Sequence, residues 1–191
     1  MRDRIRLPLR FDAAALQADL RRIEDASWIQ HFVRQNYEGA WTVLPLRAPA
    51  GATHPVQMIY SDPACHAFAD TPLLAASPAI AAALGVFECP LESVRLMRLG
   101  VGSVIKTHRD LDLDVEHGRA RLHVPVETNA GVDFRLNGER VVLGEGECWY
   151  LRLSDPHSVE NGGDRDRVHL VIDAVVSPWL RGLLEHADRE A

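Results

Sequence analysis

From about residue 92 the chain alternates short runs of Val, Leu and Ile with Gly, Asn and Asp, the pattern of closely spaced β-strands. Strands are predicted at 92–99, 103–108, 119–127, 147–153 and 167–176. A hairpin is predicted where Val132-Asp-Phe-Arg-Leu136 and Glu139-Arg-Val-Val-Leu143 flank Asn137-Gly138, because Asn-Gly supplies the positive φ angles of a type I′ turn. The first ninety or so residues read differently. Asp12 suits the N-cap of a helix on which Leu16, Leu20 and Ile23 recur at helical spacing, and Ser77-Pro78 reads as N-cap and first residue of a helix running through Ile80 to Leu84. The predicted fold is mainly β with flanking helices, a double-stranded β-helix (jelly roll, cupin-like). It forms a single domain over 1–191, with 1–90 as a helical and mixed covering segment and 92–176 as the jelly-roll core.

Period-2 alternation sorts the side chains of two of these strands. On 119–127, Arg119, Arg121, His123, Pro125 and Glu127 share one face and Ala120, Leu122, Val124 and Val126 the other. On 167–176, Arg167, His169, Val171, Asp173 and Val175 oppose Val168, Leu170, Ile172 and Ala174. Each strand thus has an apolar face and a face carrying Arg and His. Two placements are open for the polar faces: solvent, or the mouth of the roll.

Composition narrows the function classes. The chain has 191 residues, 21 Lys and Arg against 27 Asp and Glu, and a formal net charge of −6, with no basic run to engage nucleic acid. The N-terminus lacks the apolar stretch of a secretory signal and no segment approaches the length of a membrane span, so a cytoplasmic protein is expected. Cys65, Cys89 and Cys148 are odd in number and show no CxxC spacing, which argues for reduced thiols rather than a disulfide framework or a zinc site.

The chemistry concentrates in His108-Arg109-Asp110, His157 and Arg167. A His-x-Asp pair with a distant His can present two imidazoles and one carboxylate to one face of a metal, and an Arg further on can hold a carboxylic-acid co-substrate. That is what a non-haem Fe(II) oxygenase requires. Other motifs compete for parts of this set. His108-Arg-Asp-Leu111 imitates a kinase catalytic loop, but the following Asn and an Asp-Phe-Gly are absent. Asp110-x-Asp112-x-Asp114 imitates a Ca2+ loop, yet Val115 and Arg121 stand where Gly and Glu are needed. Gly144-Glu-Gly-Glu147 followed by His157-x-x-x-Asn161 is like half a cupin motif, which leaves open a metal-binding cupin that is a different enzyme or a non-enzymatic binding module.

The stretch from Ser93 to Leu180 resembles the aspartyl/asparaginyl β-hydroxylase family of Fe(II)- and 2-oxoglutarate-dependent oxygenases, which includes bacterial proline hydroxylases. The matching pieces are Arg98-Leu-Gly-Val-Gly-Ser-Val-Ile-Lys-Thr-His108-Arg-Asp110, Arg119-Ala-Arg121-Leu-His123-Val-Pro-Val, Gly146-Glu-Cys-Trp-Tyr-Leu, Asp155-Pro-His157 and Arg167-Val-His-Leu-Val-Ile-Asp173. The segments Tyr37-Glu-Gly39-Ala-Trp41 and Pro45-Leu-Arg47 are similar to the N-terminal part of bacterial members. The resemblance implies that His108, Asp110 and His157 bind Fe(II) and are the catalytic residues. Some animal members carry Gly at the position matching Asp110, so the carboxylate sets this chain nearer the bacterial amino-acid hydroxylases. It further implies that Arg167 pairs with the distal carboxylate of 2-oxoglutarate, that Arg121 and His123 lie near its other carboxylate, and that His169 lines the pocket. Met97 stands where some members have a hydroxyl. Trp41 and Arg47 are candidate substrate contacts at the mouth of the roll. With O2 as oxidant, the implied substrate is a free amino acid or an Asp or Asn residue in a peptide or protein. His31, His54, His66, His117 and His186 read as surface or otherwise satisfied histidines.

Overall fold

The computed structural model describes residues 1–60 and 64–190. Among them the strands are β1 (Arg4–Arg10), β2 (Ile29–Gln30), β3 (Tyr37–Glu38), β4 (Trp41–Pro49), β5 (Phe68–Asp70), β6 (Leu91–Leu99), β7 (Val104–His108), β8 (Arg119–Glu127), β9 (Val132–Leu136), β10 (Glu139–Arg140), β11 (Glu147–Leu151), β12 (His157–Asn161) and β13 (Arg167–Val175). The helices are α1 (Ala13–Arg22), α2 (Pro55–Ile59), α3 (Pro72–Ala75), α4 (Pro78–Leu84) and α5 (Pro178–Glu190). Eight strands form one sheet in the order β1-β11-β8-β13-β6-β4-β2, with β5 pairing along β4, and five form a second in the order β10-β9-β12-β7-β3. The chain is a jelly roll with flanking helices, as its periodicity predicts.

The two faces of the large sheet explain the alternation. Ala120, Leu122, Val124 and Val126 of β8 and Val168, Leu170, Ile172 and Ala174 of β13 pack outward against Leu16 and Leu20 of α1, Ile80 and Leu84 of α4, and Leu180 and Leu184 of α5. A second apolar cluster lies between the sheets, where Val43, Met97, Leu99 and Val171 meet Ile105, Phe134, Leu136 and Val159. The polar faces of β8 and β13 therefore look inward. Arg121, His123, Arg167, His169 and Asp173 are all buried.

Several local devices match the sequence reading and others depart from it. Asp12 accepts a hydrogen bond from the Ala15 amide (3.1 Å) at the start of α1. Ser77 does not cap α4: its hydroxyl donates to the Leu73 carbonyl (2.8 Å), and the Ile80 amide is satisfied by Oδ2 of buried Asp19 (2.9 Å), reaching across from α1. Asn137 and Gly138 have φ of 53° and 80°, as a type I′ turn demands. The ladder beyond that turn covers only Glu139 and Arg140. The Val141 amide still donates to the Phe134 carbonyl (2.8 Å), after which the strand ends, and Val141 and Leu143 are buried between the sheets.

The first ninety residues do more than cover. They supply β1, β2, β4 and β5 to the large sheet and β3 to the small one. Trp41–Pro49 hides as a strand because its residues are apolar on both faces, so period 2 is lost, and because Pro45 lacks a ladder donor. The structure accommodates Pro45 at a register shift between Pro45 and Arg47, and its carbonyl accepts the Thr71 hydroxyl (2.8 Å). Strand β12 escapes detection for the opposite reason: of His157-Ser-Val-Glu-Asn161 only Val159 is apolar.

Candidate active site

Cross-strand register builds the centre of the site. His108 is the last residue of β7 and His157 the first of β12, and the two are direct partners across the antiparallel ladder. Their rings lie 4.2 Å apart. Asp110 follows two residues after His108, its amide donating to the Leu153 carbonyl (2.8 Å) and its Oδ1 lying 3.7 Å from Nε2 of His108. One ligand atom from each of His108, Asp110 and His157 falls within 4.8 Å of the other two.

Hydrogen bonding fixes the histidine tautomers. Nδ1 of His108 faces the Lys106 carbonyl at 2.8 Å and Nδ1 of His157 faces the Asp155 carbonyl at 3.0 Å. A carbonyl only accepts, so each Nδ1 carries a proton, and it is Nε2 that is left to serve as a metal ligand. Burial pushes the His157 imidazole down to about 4, the neutral state that a metal ligand needs. Two imidazoles offering Nε2 and one carboxylate fit a facial Fe(II) site.

A chain of charged groups runs away from Asp110. Arg121 Nη1 donates to Oδ2 of Asp110 (2.6 Å), and the same guanidinium makes two bonds to Asp173, 2.6 Å from Nε to Oδ1 and 2.9 Å from Nη2 to Oδ2. Arg95, fully buried on β6, pairs with Asp173 and donates to the Ile59 carbonyl (2.9 Å). Burial opposes the charge on Arg121, but the carboxylates of Asp173 and Asp110 outweigh it and raise its affinity for its proton.

The other end of the same cavity holds a cation of a different kind. Arg167 is 3% exposed, and no carboxylate among the described residues pairs with it. Its Nη2 donates to Nδ1 of His169 (2.8 Å), and its Nε is buried without a partner, as are Nε2 of His123 and Nε2 of His169. Burial alone pushes the Arg167 guanidinium down to about 9. A desolvated fork with unused donors is the complement of a carboxylate. His169 does not border the cavity; it stands behind Arg167, with its Nδ1 3.3 Å from Nδ1 of His123.

These groups line a cavity of ≈ 590 Å³ between the two sheets, together with Trp41, Met97 and Phe134. Trp41 reaches it as the sequence suggests, with its indole Nε1 buried and unpartnered and its ring 6.4 Å from that of His108. Arg47 does not reach it. Nη1 of Arg47 pairs with Asp70 (2.5 Å) and its other nitrogens donate to the Leu91 and Phe68 carbonyls (both 3.1 Å), so it ties β5 and β6 to β4. His31, dismissed in the sequence as a satisfied histidine, lines the cavity and stacks on Trp41 with ring centroids 3.6 Å apart. Its burial pushes it down to about 4. The carboxylates of the cupin-like segment point elsewhere: Glu145 binds Gln17 and the Thr128 amide, and Glu147 binds Gly144, Trp149 and Arg6.

Comparisons with known proteins agree with this geometry. The family model described as Aspartyl/Asparaginyl beta-hydroxylase matches residues 10–176. The chain is 25% identical over 185 residues to L-proline cis-4-hydroxylase of Rhizobium meliloti (strain 1021), covering 95% of this chain and 64% of that protein, so it spans under two thirds of the relative's length. Among solved structures, a Pseudomonas putida prolyl-4-hydroxylase superposes with a TM-score of 0.52 at 14% identity over 92% of this chain and 93% of that one. An oxidoreductase of the 2OG-Fe(II) oxygenase family from Burkholderia pseudomallei gives 0.52 at 13% identity over 91% and 85%. At such identities the two structures speak for the fold, whereas the family model spans the segments that carry His108, Asp110, His157 and Arg167. The chain belongs to the aspartyl/asparaginyl β-hydroxylase family.

Proposed function

We propose that this protein is an Fe(II)- and 2-oxoglutarate-dependent dioxygenase that hydroxylates a C–H bond of an amino acid, with succinate and CO2 as co-products. The observation that carries this reading is the presence, in one cavity, of a two-His-one-carboxylate set and of buried Arg167, which has no carboxylate partner among the described residues. His108, Asp110 and His157 would hold the iron, and Arg167 one carboxylate of 2-oxoglutarate, with Arg121 and His123 near the other. Bound together with O2, the metal and the keto acid supply the oxidising chemistry.

The chain's own residues bind and orient. The carbonyl partners of His108 and His157 keep both Nε2 lone pairs turned to one point, and Arg121 keeps Asp110 turned there too. Burial strengthens the pairing of Arg167 with an incoming carboxylate because water does not compete for it. His169 holds the guanidinium in place through Nη2. The relative's name favours a free amino acid over an Asp or Asn residue in a peptide or protein, and the neutral wall of Trp41 and His31 would contact it.

Anaerobic reconstitution with Fe(II) and 2-oxoglutarate, then exposure to O2 with panels of amino acids and peptides, tests the reading. The expected result is a +16 Da product with stoichiometric succinate, lost in His108→Ala and His157→Ala. Absence of metal-dependent 2-oxoglutarate binding would overturn it.

A further inference from the structure

Asp110 differs from the two histidines in how it is held. Each imidazole is fixed by a backbone carbonyl beside its own strand end. Asp110 lies beyond the end of β7, between His108 and Leu111, which is 85% exposed, and its amide bond to Leu153 fixes the main chain but leaves the carboxylate free to rotate. What stops that rotation comes from the opposite sheet. Arg121 occupies Oδ2 at 2.6 Å, while Oδ1 faces Nε2 of His108 across 3.7 Å.

Arg121 could serve this purpose only if it were itself immobile. Its fork closes on Asp173 through two parallel bonds, the geometry that removes most of a guanidinium's freedom. Asp173 is 2% exposed and is also gripped by Arg95, whose Nη1 is anchored on the Ile59 carbonyl at the end of α2. The sheet supplies the alignment. Asp173 stands opposite Arg121 in the β13–β8 ladder, and Arg95 opposite Val171 on the other edge of β13.

Resting on the metal-site reading above, we propose that Arg95, Asp173 and Arg121 form a positioning chain that holds Asp110 as a one-oxygen metal ligand, with Oδ2 committed to Arg121 and Oδ1 presented to the ion. Arg95 and Asp173 touch neither the metal nor the keto acid in this assignment, and Arg121, placed above beside the keto acid, acts here through Oδ2 of Asp110. They act through Asp110, and Arg95 does so from two links beyond Arg121's bond to it.

The test is a double-mutant cycle read as Co(II) affinity of the full-length, metal-free protein, by calorimetry and by the Co(II) absorption band. Arg95→Met is expected to weaken Co(II) binding about 10–100-fold, the range for partners that orient a ligand from behind. Arg95→Lys should recover part of that loss. In an Asp110→Ala background Arg95→Met should cause no further loss, because the ligand it acts through is gone. Native affinity in folded Arg95→Met, or an equal loss with and without Asp110, would overturn the chain while leaving the metal site standing. Should Arg95→Met fail to fold, Arg121→Lys in the same cycle decides by the same criteria. Wild-type affinity in Asp110→Ala, by contrast, would overturn the ligand assignment itself and the chain with it.

Discussion

The cavity has two cationic ends built from the same residue type to opposite effect. At the metal end Arg95 and Arg121 are matched against Asp173 and Asp110, every bond charge-assisted and most of them buried. At the far end Arg167 is just as buried but, among the described residues, has the His169 imidazole and the Phe134 ring beside it and no carboxylate. A matched cation orients its partners. An unmatched one is destabilising in the empty protein and gains only when an anion arrives, which is the signature of a binding site rather than of a structural pair.

The largest effect should come from breaking the matched end. Arg121→Met leaves two carboxylates facing a methyl group, and removing one partner of a buried pair destabilises by about 3–5 kcal/mol. Urea unfolding of metal-free protein measures this; a loss below about 1 kcal/mol would mean that the chain is solvated and not structural. Breaking the unmatched end should do the reverse in the empty protein. Arg167→Met removes an uncompensated charge, so the metal-free fold should hold or gain stability. The corresponding loss appears only on ligand addition: Arg167→Ala should weaken 2-oxoglutarate binding by about 2–5 kcal/mol, as for truncation of one member of a buried charge pair. Calorimetric titration with Fe(II) present under anaerobic conditions checks it. Equal destabilisation of both empty variants would erase the distinction between the ends.

How much of this contrast could be read from the chain alone depends on which residues are considered. The faces of β8 and β13 were legible because period 2 over nine residues puts Arg121 with His123 and Arg167 with His169, whereas periodicity left open whether those faces turn to solvent or inward, and the family resemblance alone brought the two pairs to one site. His108 and Asp110 were legible because they are local. Their link to His157 was not a matter of spacing but of register, since the two histidines meet only because β7 and β12 pair. Arg95 was missed altogether. A lone Arg in the run Val94-Arg-Leu-Met97 reads as an outward position of a half-exposed strand, and only the pairing of β6 with β13 beside Asp173 turns it inward. Arg47 failed in the opposite sense: its resemblance-based role assumed the mouth of the roll, whereas the register shift after Pro45 directs it to Asp70 and the β5–β6 edge.

The pH dependence of stability sharpens the unmatched end further. His123 and His169 are held well below the ordinary imidazole value, by burial first and by the nearby Arg167 charge second. Both are therefore neutral in the folded protein while the unfolded chain binds protons below about 6.5. The unfolded state then carries more protons, so stability rises with pH up to about 6.5 and falls as pH drops below it. Each histidine should contribute up to about 1.4 kcal/mol per pH unit in that window. Denaturant unfolding of metal-free protein between pH 7 and 5 should show this fall, to which His31 and His157, both pushed down to about 4, also contribute, and His169→Gln should lessen its slope. A wild-type profile that is level across the window would mean that these imidazoles are already solvated or charged.

The smallest effect is expected where the sequence placed a substrate contact and the structure placed a brace. Arg47 pairs with an Asp70 side chain that is 57% exposed, a kind of ion pair worth about 0–1 kcal/mol, and adds two bonds to the Phe68 and Leu91 carbonyls. Arg47→Ala should therefore lower stability by roughly 1–2 kcal/mol while leaving KM for the amino-acid substrate unchanged. Trp41→Phe makes the complementary change, keeping an aromatic ring against His31 in the cavity wall while deleting the indole's second ring and its buried, unpartnered Nε1. It should raise KM with little loss of stability. Steady-state kinetics and unfolding curves for the two variants side by side give the comparison its sharpest form, because a brace moves stability without KM and a contact moves KM without stability. A raised KM in Arg47→Ala would show that this arginine leaves Asp70 to meet the substrate, and the boundary drawn between the cavity and the β4–β5 edge would have to move.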